Sequence, residues 1–421
     1  MESQTFLQYL EKRPESKMNV DFASSQSFFA QVQRRPKPFV TIVVGGTNGK
    51  GSMCQFLTSI YLAHGYRVGT YTSPHLLSIR ERIQIDGQSI SENDFRENGD
   101  QFFLKFNLEQ KQSSYFESLT FFAYDYFANK EVDVAIFEVG LGGRWDSTNA
   151  LEKDAVIIGK IDMDHMHILG PTLESIAKEK IALTTHAPIS ILARQERPAA
   201  KVIEDTPFTK DQIILKEGED FFHSGGGESF FFQLEDHRIP PTTLGLQGSW
   251  QSTNASCAIT TALMLRDRLP VHTETIVQGL QKARLMGRLE RWIRDEGEEI
   301  WLDVAHNQAS IDALTQFFCQ KKMIHLHTLL SSSADKEFEK MIESLESITD
   351  RFWFCENKSS RSWNLDQANP KSTKPYTCYK SFDKGLLNAI GEKKFPILCT
   401  GSFYFYSEFH SILEKIGFHR S

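Results

Sequence analysis

The sequence has few cysteines, no long apolar run and no excess of basic residues, and each absence excludes a class of protein. Its 421 residues include six cysteines, none in a C-x-x-C pair, which predicts neither a disulfide framework nor a thiolate zinc site. The aromatic stretch at residues 121–127 is interrupted by Asp125 and is far shorter than the roughly 18 apolar residues of a membrane span. We therefore expect no membrane partner.

Charge and the first residues of the chain exclude two further classes. Lysine and arginine number 47 against 54 aspartates and glutamates, a net charge of −7, which argues against a nucleic-acid partner. The first 20 residues mix apolar and charged side chains, so no secretory signal is predicted and we expect a cytoplasmic protein with reduced thiols.

The pattern along the chain predicts two α/β domains, because one hydrophobic core seldom serves more than about 300 residues. From residue 39 onward, short apolar runs alternate with helical stretches, as in βαβ units around a mostly parallel sheet. We place the larger domain at residues 1–284 and a smaller α/β domain at 285–421. Residues 220–238 predict an inserted β-hairpin around three glycines, and the charged segment 285–300 is interpreted as the linker.

The predicted elements can be located by residue number. Strands are predicted at residues 39–46, 67–72, 132–140, 154–161, 189–194, 299–306, 323–330, 351–356 and 395–401. Helices are predicted at 51–64, 172–183, 253–266, 274–284, 308–319, 337–347, 382–390 and from 405 onward.

The segment VVGGTNGKGS, residues 43–52, joins the first predicted strand to a helix, which is the position of a phosphate-binding loop. Glycines let backbone N–H groups turn toward phosphate oxygens, the helix N-terminus favours an anion, and Lys50 adds a positive charge. Val44 and Gly51 occupy positions that the strict motif gives to glycine and to Ser/Thr, which indicates a relative of the ordinary P-loop. The alternative is a glycine-rich turn with one surface lysine, but the strand-loop-helix context favours a phosphate site.

Acidic residues and histidines follow two further predicted strands. Glu138 ends one strand, and Asp162, Asp164, His165 and His167 follow the next. Since the carboxyl ends of parallel strands collect ligands, these side chains can hold a divalent cation. The alternatives are that Glu138 caps a strand end and that the histidines are solvated surface residues. The residue types alone do not distinguish these alternatives from a metal site.

Taken in order, these segments resemble the folylpolyglutamate synthase/dihydrofolate synthase family, a branch of the Mur ligase superfamily. The resemblance extends from about residue 41 to residue 404. Its motifs are GTNGKGS (46–52), TSPHL (72–76), YFESLT (115–120), EVGLGGRWDSTN (138–149), DHMHILG (164–170), IAKEK (176–180), GRLE (287–290), LDVAHN (302–307) and TGS (400–402). The resemblance implies an N-terminal P-loop-type Mur ligase central domain, a Rossmann-like C-terminal glutamate-ligase domain, and a monomer.

The resemblance also implies roles for individual residues. Contacts to ATP are implied for Thr47, Asn48, Gly49, Lys50, Gly51, Ser52, Asn254, Arg288 and Asp303. Catalytic roles are implied for Lys50, Asp146, Lys180 and His306, and substrate contacts for Phe116, Glu117, His306 and Ser402. Ligation of two Mg²⁺ ions is implied for Ser52, Ser73, Glu138 and His165. Lys180 matches a lysine that can carry a carbamate near the second ion.

The activity implied is ATP-dependent ligation of L-glutamate to dihydropteroate, to the γ-carboxylate of reduced folates, or to both, through an acyl phosphate. We predict the bifunctional enzyme, with these small molecules as its partners. The alternatives are folylpolyglutamate synthase alone and a non-catalytic P-loop nucleotide-binding regulator. A regulator is expected to lose some of Lys50, Glu138, His165 and Lys180, and all four are present. One departure from the family is Trp250, which replaces a histidine of some members.

Overall fold

The computed structural model describes residues 5–14, 22–111, 113–294, 297–334, 336–359, 361–368, 370–394 and 396–421. The chain divides into two compact units, Met1–Leu246 with Trp250–Arg284 and Gln247–Ser249 with Leu285–Ser421. Within the described ranges, the structure contains no helix whose length and apolarity would suffice to span a bilayer.

The first unit is built of helices around a mainly parallel sheet. Its helices are α1 (Phe6–Glu11), α2 (Phe22–Val32), α3 (Lys50–Ala63), α4 (Glu92–Lys105), α5 (Tyr115–Asn129), α6 (Met166–Leu169), α7 (Leu173–Ile181), α8 (Arg197–Glu204), α9 (Gln251–Met264) and α10 (Thr273–Lys282). Its strands are β1 (Val40–Gly45), β2 (Val68–Tyr71), β3 (Ile83–Ile85), β4 (Gln88–Ser89), β5 (Val134–Glu138), β6 (Ala155–Ile158), β7 (Ile189–Leu192), β8 (Ile213–Lys216), β9 (Phe221–Ser224), β10 (Phe230–Leu234) and β11 (His237–Thr242).

The sheet of the first unit has the order β4-β3-β2-β5-β1-β6-β7-β8. Strand β1 is central and parallel to both of its neighbours, with Val44 opposite Glu138 of β5 and Gly45 opposite Ile158 of β6. Strand β3 pairs antiparallel with β2 and with β4, and the other neighbouring pairs in this sheet are parallel. The predicted mostly parallel sheet is therefore confirmed. All six residues of β1 are buried, as expected for a β-branched strand covered by helices on both faces.

The predicted hairpin at residues 220–238 belongs to a larger unit than the sequence indicated. Strands β9 and β10 form it, with Gly225 at φ 77° in the turn, and β11 adds an antiparallel third strand.

An aromatic layer covers the sheet, formed by α1, α2, α4 and α5, none of which the sequence analysis predicted. Its members are Phe6, Phe28, Phe95, Phe102, Phe121 and Phe122, all buried. The rings of Phe28 and Phe121 lie 4.8 Å apart and those of Phe6 and Phe122 lie 5.0 Å apart, both edge to face, the arrangement that aromatic quadrupoles favour.

One buried carboxylate, Asp125, lies in α5 beside this layer. It accepts hydrogen bonds from Arg34 at 3.1 Å, from Lys105 at 3.0 Å and from Asn129 at 3.2 Å. The carboxylate is therefore paired with two cations, which burial of a charge requires.

The second unit repeats the parallel α/β architecture. Its helices are α11 (Gln308–Gln320), α12 (Phe338–Leu345), α13 (Leu365–Ala368), α14 (Phe382–Gly391) and α15 (Tyr406–Lys415). Its strands are β12 (Glu290–Arg294), β13 (Glu298–Leu302), β14 (Leu326–Leu330), β15 (Thr349–Cys355), β16 (Tyr376–Tyr379), β17 (Ile397–Thr400) and β18 (His419–Arg420). The sheet order is β16-β15-β14-β17-β13-β12-β18, and β12 and β18 are its antiparallel strands.

The interpretation of residues 285–300 as a linker is wrong. Strand β12 and the start of β13 lie in this segment and pair antiparallel. Glu290 and Trp292 alternate inward and are buried, and Arg291 donates to Glu299 across the pair at 2.8 Å. The charges that suggested a linker therefore belong to a strand with one polar face.

Candidate functional site

The loop after β1 has the backbone geometry that a phosphate site needs. Gly46 has φ 131° and Gly49, which caps α3, has φ 86°. A Cβ atom at Gly46 would lie 3.1 Å from the backbone of Gly159, and one at Gly49 would lie 2.2 Å from Oδ1 of Asn254. Only glycine fits either position without strain. The loop therefore leads into the N-terminus of α3 as an anion-binding turn does.

Thr47 and Asn48 fix this loop to the segment that follows β6, through Asp162. Thr47 Oγ1 donates to the backbone oxygen of Asp162 at 3.1 Å and accepts from its N–H at 3.0 Å. Asn48 donates to the Asp162 carboxylate at 3.0 Å. Burial raises the pKa of Asp162, opposed by the charge of Lys160 and the bond from Asn48. These side chains pre-form the loop.

Two lysine ammonium groups lie on carbonyl oxygens of the loop. Lys50 Nζ donates to Thr47 O, and Lys180 Nζ donates to Gly46 O, each at 3.0 Å. Lys180 is 5% exposed. Burial, and next the charge of Lys50, lower the pKa of Lys180 to about 7, against the opposing effect of nearby carboxylates. The neutral amine of Lys180 is therefore far more populated at neutral pH than that of an ordinary lysine.

Helix α9 supports the opposite side of the loop. Asn254 donates to Gln251 at 2.9 Å, and Gln251 donates to the Ser52 hydroxyl at 3.3 Å. All three side chains are buried. The predicted residues Ser52 and Asn254 are thereby brought together with Gly49, and Gly51 lies beside them in the first turn of α3.

Glu138 and Ser73 lie at the same edge of the sheet as the loop. Glu138 is 5% exposed, and it accepts the backbone N–H of Ser73 at 3.0 Å. His165 is the N-cap residue of α6, and its backbone N–H donates to the Asp164 carboxylate at 2.8 Å. Across the described part of the chain, no three His, Cys, Asp or Glu side chains form a metal-binding group. The donor set still fits Mg²⁺, which is commonly held by one or two carboxylates together with phosphate oxygens and water.

Asp146 holds the loop that follows β5. One carboxylate oxygen accepts the N–H groups of Gly140 and Leu141 at 3.0 and 3.1 Å, and the other accepts the N–H and hydroxyl of Thr148 at 2.9 and 2.6 Å. Burial raises the pKa of Asp146 and these four bonds oppose the rise. Both oxygens are engaged within the loop, which favours a positioning role.

Phe116 and Glu117 lie in the first turn of α5. The Phe116 ring is 5.6 Å from that of Tyr71 and lies against Gly140, where a Cβ would come within 2.7 Å of it. Glu117 is buried, accepts from Ser25 at 2.5 Å and closes the capping box with Ser114. Glu117 therefore has structural contacts, and the predicted substrate contact stays a prediction.

In the second unit the predicted residues gather at the carboxyl ends of β13 and β17. Asp303 is buried, which raises its pKa, and it accepts the N–H groups of Leu289 and Ala305 at 2.9 and 2.8 Å. The His306 ring lies 4.8 Å from that of Phe403, and the Arg288 guanidinium lies over the same ring at 5.4 Å.

Ser402 belongs to the same group. Its hydroxyl accepts the N–H of Tyr404 at 3.1 Å. One residue earlier, the N–H of Gly401 donates to Ala305 O at 2.9 Å. These bonds bring the LDVAHN and TGS segments together, because the parallel strands that precede them are neighbours.

The comparisons with known proteins agree with this geometry. The model of the Mur ligase middle domain matches residues 44–262, just over half of the chain. The dihydrofolate synthase/folylpolyglutamate synthase of Bacillus subtilis is 33% identical over 395 residues, covering 88% of this chain and 90% of that protein. The chain belongs to the folylpolyglutamate synthase/dihydrofolate synthase family of Mur ligases.

Solved structures of this family have the same fold. Mycobacterium tuberculosis folylpolyglutamate synthase complexed with ADP has a TM-score of 0.87 at 25% identity and covers 97% of this chain and 98% of that chain. The bifunctional Yersinia pestis synthase complexed with AMPPNP and a Mn ion has a TM-score of 0.82 at 25% identity, with 98% of both chains covered. The two-domain α/β prediction is therefore confirmed; both relatives bind a nucleotide, and the Yersinia pestis enzyme also binds a Mn ion.

Sequence reasoning left two residues of this Mur ligase site without a role. Gly46 makes the close approach to Gly159, and Gln251 links Asn254 to Ser52. Two consecutive glycines after an apolar strand were the signal in the sequence that pointed to Gly46. The spacing of three between Gln251 and Asn254 on a helix was a signal for the second, because it places both on one face.

Proposed function

We propose that this chain is an ATP-dependent ligase that joins L-glutamate to dihydropteroate and to the γ-carboxylate of reduced folates. The observation that carries the proposal is the glycine loop, bordered by Lys50, Lys180 and Glu138 at the carboxyl edge of the parallel sheet. The bifunctional reading is supported by the Bacillus subtilis relative, whose name includes both activities.

ATP is a substrate of this reaction, and the loop would hold its phosphates. Residues 47–52 and Asn254 are assigned to the nucleotide in the first unit, and Arg288 and Asp303 are assigned to it in the second. The substrate carboxylate attacks the γ-phosphorus and ADP leaves. The Lys50 ammonium and the loop N–H groups would stabilise the charge on the transferring group.

The second step joins the amine of glutamate to the activated carboxyl carbon. The amine attacks the acyl phosphate, phosphate leaves, and the amine proton passes to solvent. His306 and Ser402 are assigned to glutamate, and Phe116 and Glu117 to the folate. Asp146 would act by positioning the loop at residues 139–148.

Magnesium would be held by Ser52, Ser73 and Glu138 at one position and by His165 at a second. When bound, it would neutralise phosphate charge. Lys180 would supply a carboxylate-like group near the second ion: its free amine adds to CO₂, giving a carbamate and releasing one proton. The low pKa of this lysine supports that step, because only the neutral amine reacts.

The test is glutamate-dependent ADP formation by the purified protein with MgATP, with dihydropteroate in one reaction and tetrahydrofolate in another. We expect activity in both. Activity with tetrahydrofolate alone would restrict the enzyme to folylpolyglutamate synthesis, and ATP binding without turnover in either reaction would refute the proposal. The cytoplasmic location and the monomeric state remain predictions, and light scattering coupled to size exclusion tests the latter.

A further inference from the structure

A polar cleft lies in the helical layer of the first unit, between α2 and the segment that follows α4. Its volume is about 450 Å³, within the range of roughly 300–1,000 Å³ that small-molecule sites occupy. Within the described part of the chain, no aspartate or glutamate lines it. The lining residues are Gln31, Lys105, Phe106, Asn107, Gln110 and Lys111. None of the six is assigned to the ligase reaction, so the cleft is a separate feature of the molecule.

Lys105, the last residue of α4, is held at one side of the cleft. Its ammonium group donates to Oδ1 of Asp125 at 3.0 Å and lies 4.7 Å from the centre of the Phe106 ring. Arg34 donates to the same carboxylate oxygen at 3.1 Å. One carboxylate therefore serves two cations. Because the Lys105 side chain is 54% exposed and an ammonium group has three donors, it can bind a ligand while it keeps its bond to Asp125.

Lys111 brings a second surplus positive charge to the cleft. Its ammonium group donates to Oε1 of Gln31 at 3.0 Å and lies 4.8 Å from the centre of the Phe28 ring. Neither partner carries a charge, so the charge of Lys111 is not neutralised by them. Together with Arg34 and Lys105, the cluster has three cations against one carboxylate, which leaves two positive charges. In a chain whose net charge is −7, such a local surplus attracts anions.

Two side-chain amides complete the lining of the cleft. Asn107 has φ 49°, a left-handed conformation that asparagine adopts more readily than most residues, and its side chain does not cap the 3-10 helix Leu108–Gln110. The side-chain amides of Asn107 and Gln110 make no hydrogen bond to any residue that the structure describes. Since an amide both donates and accepts, these two groups can bind the carbonyl, N–H or carboxylate groups of an organic ligand.

We propose that this cleft is a binding site for a small organic dianion, held by the ammonium groups of Lys105 and Lys111. The two negative charges come either from carboxylates, as in a γ-glutamyl chain, or from a phosphate monoester. The volume of the cleft leaves room for an organic body, which the Phe106 ring and the amides of Asn107 and Gln110 contact. The inference goes beyond the proposed ligase reaction and does not depend on it.

Isothermal titration calorimetry at constant ionic strength tests the charge and the source of the ligand. The probes are glutamine, glutamate and γ-glutamylglutamate, which carry no net charge, one negative charge and two, together with glycerol 2-phosphate as the phosphate monoester. We expect a dianion to bind at least about tenfold more tightly than glutamate, because it engages a second ammonium group. The dianion that binds more tightly identifies the source. The absence of saturable binding of either dianion below about 10 mM would overturn the proposal.

Substitution of the lysines tests the location of the site. We expect K111M and K105M each to weaken binding of the dianion about tenfold, since each loses one charge-assisted hydrogen bond. The matched control is K130M: Lys130 also pairs with a carboxylate, Asp94, at 3.1 Å and lies 5.3 Å from an aromatic ring, that of Tyr126, but it does not line the cleft. K111M is the decisive variant, because K105M also removes a partner of Asp125. Equal affinity in wild type and K111M would overturn the proposal.

A further variant separates the cleft from the glutamate site assigned to the ligase. We expect H306A to bind the dianion as wild type does, because His306 lies in the second unit and not in the cleft. Binding that H306A loses and K111M retains would assign the dianion to the ligase site and overturn the cleft. If wild type turns over no folate but K111M weakens dianion binding, the ligase assignment fails and the cleft stands.

Discussion

Replacing Lys180 by methionine is expected to change how the stability of the protein depends on pH. The folded-state pKa of Lys180 is about 7 because of burial, whereas an unfolded lysine titrates near 10.4. Between these values the unfolded chain binds more protons, so stability rises with pH. The cost of burying the charge is complete below pH 7 and disappears as pH approaches the unfolded pKa. Integrating this difference in bound protons over pH gives a gain in unfolding free energy of about 2 kcal/mol from pH 7 to pH 9.

The assay is urea unfolding of wild type and K180M at pH 7 and pH 9. The difference in unfolding free energy between the two proteins should change by about 2 kcal/mol in favour of wild type as pH rises. A matched control is K153M, since burial lowers the pKa of Lys153 to about 8. For this variant the same calculation predicts that the difference from wild type changes by about 1 kcal/mol between pH 7 and pH 9. A wild-type minus K180M difference that is equal at both pH values would refute the electrostatic reasoning.

The same pKa determines how readily Lys180 reacts with CO₂. With a pKa lowered to about 7, the neutral fraction of this amine at pH 7 exceeds that of a lysine with an ordinary pKa by about three orders of magnitude. We expect a carbamate signal in ¹³C NMR of wild type equilibrated with labelled bicarbonate, and none in K180M. A signal that persists in K180M would assign the carbamate to another amine.

Three other substitutions test the site. E138Q should retain the fold but need at least tenfold more Mg²⁺ for half-maximal ADP formation, and an unchanged Mg²⁺ titration would remove Glu138 from the metal site. G49A should lower the unfolding free energy more than G65A does. Both glycines have φ near 85°, but only a Cβ at Gly49 would meet another residue, Asn254. Equal losses of unfolding free energy would show that the Asn254 side chain moves away to make room. H306A should raise the KM for glutamate and not that for ATP, measured by ADP formation, and the opposite pattern would assign His306 to the nucleotide.

Much of the parallel framework could be predicted from the sequence. The apolar run before the glycine loop became β1, and the helix predicted at 51–64 is α3 at Lys50–Ala63, since local periodicity and loop chemistry agree there. Helix α5 was missed because nearly all of it is buried, so it has no polar face for the periodicity to reveal. Its aromatic residues also favour strands.

The contacts that assemble the site were beyond sequence reasoning. Lys180 and Gly46 are 134 residues apart, yet they share a hydrogen bond, and Asn254 fills the space beside Gly49. Spacing within one motif predicts which residues share a helix face or a strand end. It does not say which distant segment covers them, because tertiary packing decides this.

The carboxylate of Asp125 gives the aromatic layer a fixed registration. Burial of phenylalanine rings is non-directional and their edge-to-face preference adds only about 0.5–1.5 kcal/mol per pair, so these contacts fix the positions of α2, α4 and α5 less strictly than a buried charge pair does. Asp125 accepts bonds from Arg34, just after α2, and from Lys105 at the end of α4, and any displaced packing would leave its charge without partners. We therefore expect evolution to tolerate substitutions of phenylalanines in this layer by other apolar residues, but not the loss of the Asp125 carboxylate.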